Sequence, residues 1–123
     1  MFEVKSLIKV IKENGCNFFT GVPDSVLKEM SLLLDNFPKK KHIIAVNEGS
    51  AVSIGIGHYL STGKIPCIYM QNSGLSNAIN PLISIAHEKV YSIPLILVIG
   101  WRGSPKIKDE PQHSYQGKIT VKQ

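Results

Sequence analysis

Four short apolar-rich runs punctuate the chain: Cys16 to Thr20, His42 to Val46, Ile65 to Met70 and Leu95 to Ile99. They do not alternate between apolar and polar residues, as a strand with one wet face would. Such runs suit strands covered on both faces, and helical segments lie between them. The first segment has Val4, Leu7, Ile8 and Ile11 at helical spacing, with Lys5, Lys9, Lys12 and Glu13 opposite and Asn14-Gly15 as a stop. Pro23-Asp24-Ser25 opens a second helix carrying Val26, Leu27, Met30, Leu33 and Leu34, and Phe37-Pro38 closes it. A third runs from about Glu48 to Leu60 and stops at Gly63; a fourth runs from about Ser76 to Glu88, irregular near Pro81. Within the third, Gly55-Ile56-Gly57 reads as a close-packing feature. Strands alternating with helices require right-handed crossovers and a parallel sheet. The expected fold is α/β, a doubly wound parallel sheet sandwiched by helices. The remainder is polar and rich in Pro and Gly, with one strand-like triplet, Ile119-Thr120-Val121.

Several classes fall away. At 123 residues one domain fits the length. A membrane-spanning helix needs roughly 20 apolar residues, and no run approaches that. Charges interrupt Met1 to Gly15, so it does not read as a signal peptide. The net charge is +5, but the lysines are scattered, with one run at Lys39-Lys40-Lys41. No nucleic-acid-binding motif accompanies them, so the lysines read as a solvated surface, and an anionic small molecule is an equally good partner for this field. Cys16 and Cys67 read as buried free thiols of a reducing, cytoplasmic compartment. His42, His58, His87 and His113 have no metal-ligand spacing, and no metal site is expected within the chain.

In doubly wound sheets ligands sit outside the carboxyl ends of the strands. All four carboxyl-end loops carry glycine and functional groups: GVPDS, NEGS, QNSGLSN and GWRGSP. They bring Asp24, Glu48, Gln71, Asn72, Ser73 and Arg102 to one edge. Each also has a plain structural reading. Glu48 suits a helix start. Asp24 suits an N-cap. Asn72 and Ser73 suit a turn, and Arg102 a surface beside one. No dinucleotide fingerprint or phosphate-binding P-loop is present. Asn72-Ser73-Gly74 stands where a nucleophile elbow would, so a hydrolase using Ser73 with His87 or His113 is a further class.

With Asp109-Glu110-Pro111-Gln112-His113 added, five motifs occur in order. Across residues 15 to 120 the set resembles the N-terminal, pyrimidine-binding domain of phosphonopyruvate decarboxylase. The alpha subunit of sulfopyruvate decarboxylase is a close relative. Both are thiamine-diphosphate-dependent 2-oxo acid decarboxylases. The resemblance implies that Glu48 hydrogen-bonds the aminopyrimidine of thiamine diphosphate and promotes its activation. It implies that Asp24 and His113 act near the reacting carbon, and that Gln71, Asn72 and Ser73 line the cofactor or substrate side. Arg102 would meet the substrate's anionic group. The implied reaction converts phosphonopyruvate to phosphonoacetaldehyde and carbon dioxide. Sulfopyruvate as substrate, or a non-catalytic remnant that regulates a full-length enzyme, are the alternatives. The family holds the diphosphate through Mg²⁺ with a Gly-Asp-Gly run, which this sequence lacks. Residues 1–123 are therefore expected to form one pyrimidine-binding domain, short of its last helix and strand. A diphosphate-binding domain or subunit would complete it in a homo- or hetero-oligomer.

Overall fold

The computed structural model describes residues 3–122. Helix α1 (Val4–Glu13) leads into β1 (Phe19–Gly21), α2 (Lys28–Leu34), β2 (His42–Ile44), α3 (Glu48–Thr62) and β3 (Cys67–Gln71). A 3₁₀ turn (Asn72–Gly74), α4 (Leu75–Pro81) and a π-helical turn (Leu82–Ala86) follow, then β4 (Ile96–Gly100), α5 (Pro111–Ile119) and a last 3₁₀ turn (Thr120–Lys122). The four strands are parallel in the order β2-β1-β3-β4. Phe19 pairs with both His42 and Cys67, and Gln71 pairs with Gly100. This register brings the carboxyl ends of all four strands to one edge.

Strand periodicity divides the core in two. Phe19, Cys67 and Tyr69 face Ile8 and Ile11 of α1 and Met30 and Leu34 of α2. Ile68 and Met70 face Ala51, Val52 and Ile56 of α3 and Ala78 of α4. Helices thus cover both faces of the central strands, as a parallel sheet requires. The outer strands are less protected: Ile43 and Ile44 of β2 are exposed, and β4 is only partly buried. Full burial on both faces therefore holds for β1 and β3 but not for the edges.

Three further expectations need correction. The second helix begins at Lys28 rather than at Pro23, because Asp24 closes a tight turn on the Val26 amide instead of capping a helix. The Ile119-Thr120-Val121 triplet is not a strand but the end of α5 and its closing turn. Pro111 starts that helix, and Thr120 Oγ1 donates to the Gln116 carbonyl one turn back. Local β-propensity in three residues loses to this docked helix. Of the Gly55-Ile56-Gly57 pair in α3, only Gly55 is a close contact, since a Cβ there would lie 2.7 Å from Ile68 Cδ1; Gly57 faces open space. Both thiols are buried as expected, and burial pushes their pKa values up.

One buried polar pair lies between sheet and helices. His42 Nε2 lies 2.8 Å from the Tyr69 hydroxyl, and His42 Nδ1 is 3.8 Å from Asp35 Oδ1. Burial lowers the His42 pKa, outweighing the attraction of Asp35, and burial lowers that of His58 as well. A histidine depressed in the folded state stabilises fully above its unfolded value of about 6.5, and that contribution is lost as pH falls through the folded value. The urea midpoint is therefore expected to drop between about pH 7 and about pH 5. His42→Gln should flatten part of that dependence and His58→Gln a further part, as read by urea titrations across the range.

Candidate functional site

Glu48 opens α3, just after Asn47, whose side chain accepts from the Ser50 amide and caps the helix. Its carboxylate packs directly against Gly74, where any Cβ would collide with it. Asn77 Nδ2 donates to Glu48 Oε2 at 3.0 Å. Among the described residues no hydrogen bond reaches Oε1. One carboxylate oxygen is thus fixed by the protein, and the other is left to accept.

Asp24 follows β1 and is held from the ends of two strands and from its own turn. Gln71 Nε2, at the end of β3, donates to Asp24 Oδ1 at 2.7 Å. The Val26 amide donates to Oδ2 at 3.2 Å. Oδ2 also lies over Gly100, at the end of β4, where a Cβ would occupy its place. Ser73 Oγ in turn donates to Gln71 Oε1 at 2.6 Å. Among the described residues no histidine hydrogen-bonds Ser73, whose proton goes to an amide oxygen that is no base. His87 instead accepts from the Lys89 amide at the end of the π-helical turn. This arrangement does not activate Ser73 as a nucleophile.

Asn72 is fully buried. Its Nδ2 donates to the Arg102 carbonyl at 2.9 Å and to Thr120 Oγ1 at 2.8 Å, while its Oδ1 accepts from the Arg102 amide at 3.1 Å. Those bonds use both amide protons and the side-chain oxygen within the protein. Asn72 pins the edge together and does not present its amide to a ligand.

Arg102 is similarly committed. Its Nε and Nη2 donate to the two oxygens of Asp109 at 2.8 and 2.6 Å, and Nη1 donates to Ser25 Oγ at 3.0 Å. The Gly103 amide adds a bond to Asp109 at 2.9 Å. The guanidinium, seconded by that amide, holds the Asp109 carboxyl well below the usual carboxylate range. Arg102 therefore faces a protein carboxylate, where the sequence suggested a substrate anion. His113, on α5, has its Nε2 3.6 Å from Glu110 Oε2, and Glu110 in turn is 4.0 Å from Arg102 Nη2. His113 thus meets the other candidates only through Glu110.

The edge therefore gathers Asp24, Gln71 and Ser73 into one hydrogen-bonded chain, with Glu48 on the glycine that follows Ser73. Asn72, Arg102 and Asp109 lie beneath or beside them as a tether for α5. Three partners escaped the sequence reading: Asn77, which holds Glu48, and Gly74 and Gly100, which seat the two carboxylates. The glycines were visible in their motifs, but which side chain each would admit depends on pairing across strands. An open groove of about 620 Å³ runs between α3 and α4 beside Glu48, lined by Ser50, Ser53, Asn77, Asn80 and Ser84 among others. Among the described residues no group of three or more His, Cys, Asp or Glu side chains is placed to hold a metal ion, and no helix is long and apolar enough to cross a membrane.

Replacing Asn72 by Leu would strand the Arg102 amide and carbonyl and remove the bond to the Thr120 hydroxyl, which keeps the Gln116 carbonyl as its partner. A loss of about 2–4 kcal/mol is expected, measured by urea unfolding. Faster amide exchange in α5 should accompany it.

Comparison with known proteins gives a consistent result. The family model described as "Thiamine pyrophosphate enzyme, N-terminal TPP binding domain" matches residues 4–123. The chain is 35% identical over 120 residues to a phosphonopyruvate decarboxylase of Streptomyces viridochromogenes, covering 98% of this chain and 30% of that protein. It is 35% identical over 108 residues to the sulfopyruvate decarboxylase subunit alpha of Methanococcus maripaludis, covering 88% of this chain and 63% of the relative. Among solved structures, benzoylformate decarboxylase from Polynucleobacter necessarius superposes with a TM-score of 0.67 at 25% identity, over 92% of this chain and 21% of that one. The chain spans less than a third of the length of the phosphonopyruvate decarboxylases it matches.

Proposed function

The chain belongs to the thiamine pyrophosphate enzyme family, as its N-terminal TPP-binding domain, and from that premise we propose that it supplies the aminopyrimidine-binding half of a 2-oxo acid decarboxylase site. The observation that carries this is the setting of Glu48. Gly74 leaves room for its carboxylate, Asn77 fixes one oxygen, and the other is unused by the protein. A fixed acceptor of that kind fits a pyrimidine ring nitrogen that carries a proton, as in the imino tautomer of an aminopyrimidine. Thiamine diphosphate, when bound, supplies the electron sink that decarboxylation of a 2-oxo acid needs.

The chain's own residues then divide the work. Glu48 would accept from the ring N–H of the cofactor's imino tautomer and so favour that tautomer. Asp24, at the mouth of β1, provides a second carboxylate for proton handling beside the reacting carbon. His113 is a further candidate for proton transfer, brought toward the edge by α5. Gln71 and Ser73 complete the wall on the substrate side. Asn72 and Arg102 hold that wall in place.

The edge that carries these groups is open, with Ser25 and Ser73 exposed. A second surface is needed to enclose a reaction that must exclude water. We assign that surface to a diphosphate-binding domain or subunit, which would also hold Mg²⁺, within a homo- or hetero-oligomer. Similarity to a relative named as an alpha subunit supports a separately encoded partner. Reduced, buried Cys16 and Cys67 suit a cytoplasmic setting. Phosphonopyruvate is the proposed substrate. Sulfopyruvate is the second reading, because the identities to the two kinds of relative are equal at 35%.

The test is assembly of the chain with a diphosphate-binding partner and measurement of aldehyde and carbon dioxide release. Glu48→Gln is expected to lower kcat by about 10²- to 10⁴-fold, the range for loss of a proton-transfer device. Near-full activity in that variant would remove the assigned mechanism. The ratio of kcat/KM for the two acids identifies the substrate.

A further inference from the structure

Gln71 was expected to line the cofactor or substrate side, yet both ends of its amide are engaged by the protein. Nε2 donates to Asp24 Oδ1 at 2.7 Å, and Oε1 accepts from Ser73 Oγ at 2.6 Å. The carboxylate contact fixes which way the amide points. An ionised carboxylate can only accept, so it requires the NH₂ end of Gln71. The Ser73 hydroxyl then donates its single proton to the oxygen end. A flip of the amide would set oxygen against carboxylate and break the Asp24 bond, whereas the hydroxyl, which can also accept, tolerates either end.

The setting around Asp24 is equally specific. Its second oxygen is held by the Val26 amide at 3.2 Å and rests over Gly100. Gly100 is the register partner of Gln71 across β3 and β4. The carboxylate thus occupies the notch that the missing side chain of Gly100 leaves, with Gln71 closing one side. β3, β4 and the turn after β1 each contribute one wall of this socket.

From this socket we infer that Gln71 is a positioning residue for Asp24: it sets the direction of the Asp24 carboxylate at the mouth of the site and is itself braced at its other end by Ser73. The inference rests on the decarboxylase reading of the site for its effect on catalysis, but its geometric part concerns this chain alone. Hydrogen bonds to a charged group are among the stronger ones in proteins, and a misdirected catalytic carboxylate loses rate before it loses ligand.

The experiment has two parts. In the first, the Asp24 carboxyl carbon is followed by NMR in the isolated chain and in Gln71→Leu. A changed chemical shift is expected; an unchanged one would overturn the inference, whatever the activity. In the second, the chain is assembled with its diphosphate-binding partner. Gln71→Leu is expected to lower kcat about 10- to 100-fold, with the thiamine diphosphate Kd kept within about twofold. In an Asp24→Asn background the same change should cost less than about threefold, since residues that act as a unit are not additive. Gln71→Glu places a carboxylate against Asp24, and its activity should recover as pH falls, because the introduced carboxyl, once protonated, can donate as the amide does. A cofactor contact predicts the opposite set: weakened cofactor binding, effects that multiply with Asp24→Asn, and no recovery at low pH. That set would overturn the inference. An inactive wild-type assembly would count against the decarboxylase reading, and the carboxyl shift would then decide the positioning role by itself.

Discussion

The Asn72 side chain lies at the junction of β3, the loop after β4 and the turn that closes α5, fully buried and hydrogen-bonded to each neighbour. A buried amide that lacked these partners would be costly, and the groups it satisfies would be stranded as well. Gln116 returns a further bond to the Asn72 carbonyl at 3.2 Å, and the Trp101 indole donates to the Gly117 carbonyl at 3.1 Å. Gly103 and Gly117 allow the loop and the helix to touch backbone to backbone. The position of α5, and with it His113 and Glu110, rests on this tether. The Arg102–Asp109 pair then locks the same loop from the solvent side.

The two carboxylates proposed for function are seated by one physical device. Each lies where a glycine omits its Cβ: Glu48 on Gly74 and Asp24 on Gly100. Each receives a side-chain amide on one oxygen, from Asn77 and from Gln71 respectively. The device fixes direction with neutral donors, so the carboxylates are not tied up by a cation. The chain's one arginine has its own acidic partner in Asp109. A strongly basic composition thus coexists with an edge whose free acceptors are acidic. Such an edge suits hydrogen-bond donors of a bound ring better than it suits nucleic acid.

Much of this was legible from residues alone. Apolar runs separated by helical segments specified the parallel sheet, and the carboxyl-end rule gathered the four loops onto one edge. Glu48, Asp24, Gln71 and Ser73 were all placed on that edge by this route. Arg102 and Asn72 were found too, but with the wrong neighbours in view. A guanidinium in a glycine-rich loop suggests an anion, and nothing local shows that Asp109, seven residues on, closes over it. The helix at residues 111–119 was missed because its hydrophobic stripe is weak; it is held by polar tethers and glycine contacts that have no sequence period. The start of α2 was misplaced because Asp24 is as good at closing a turn as at capping a helix, and here it closes a turn on the Val26 amide.

The sequence by itself determined the layer order, the central strands and the edge on which function must sit, because these follow from periodicity and from the handedness of parallel crossovers. It also carried enough ordered motif to point to the family. Tertiary structure alone decided which side chains meet: that Gln71 holds Asp24, that Asn77 holds Glu48, and that Asn72 and Arg102 are fastenings of the scaffold. The physical reason is that these pairs join residues 29 to 47 positions apart, across strand ends and between packed helices. Contacts at that separation are set by strand register and by the space a glycine leaves, neither of which any local pattern encodes.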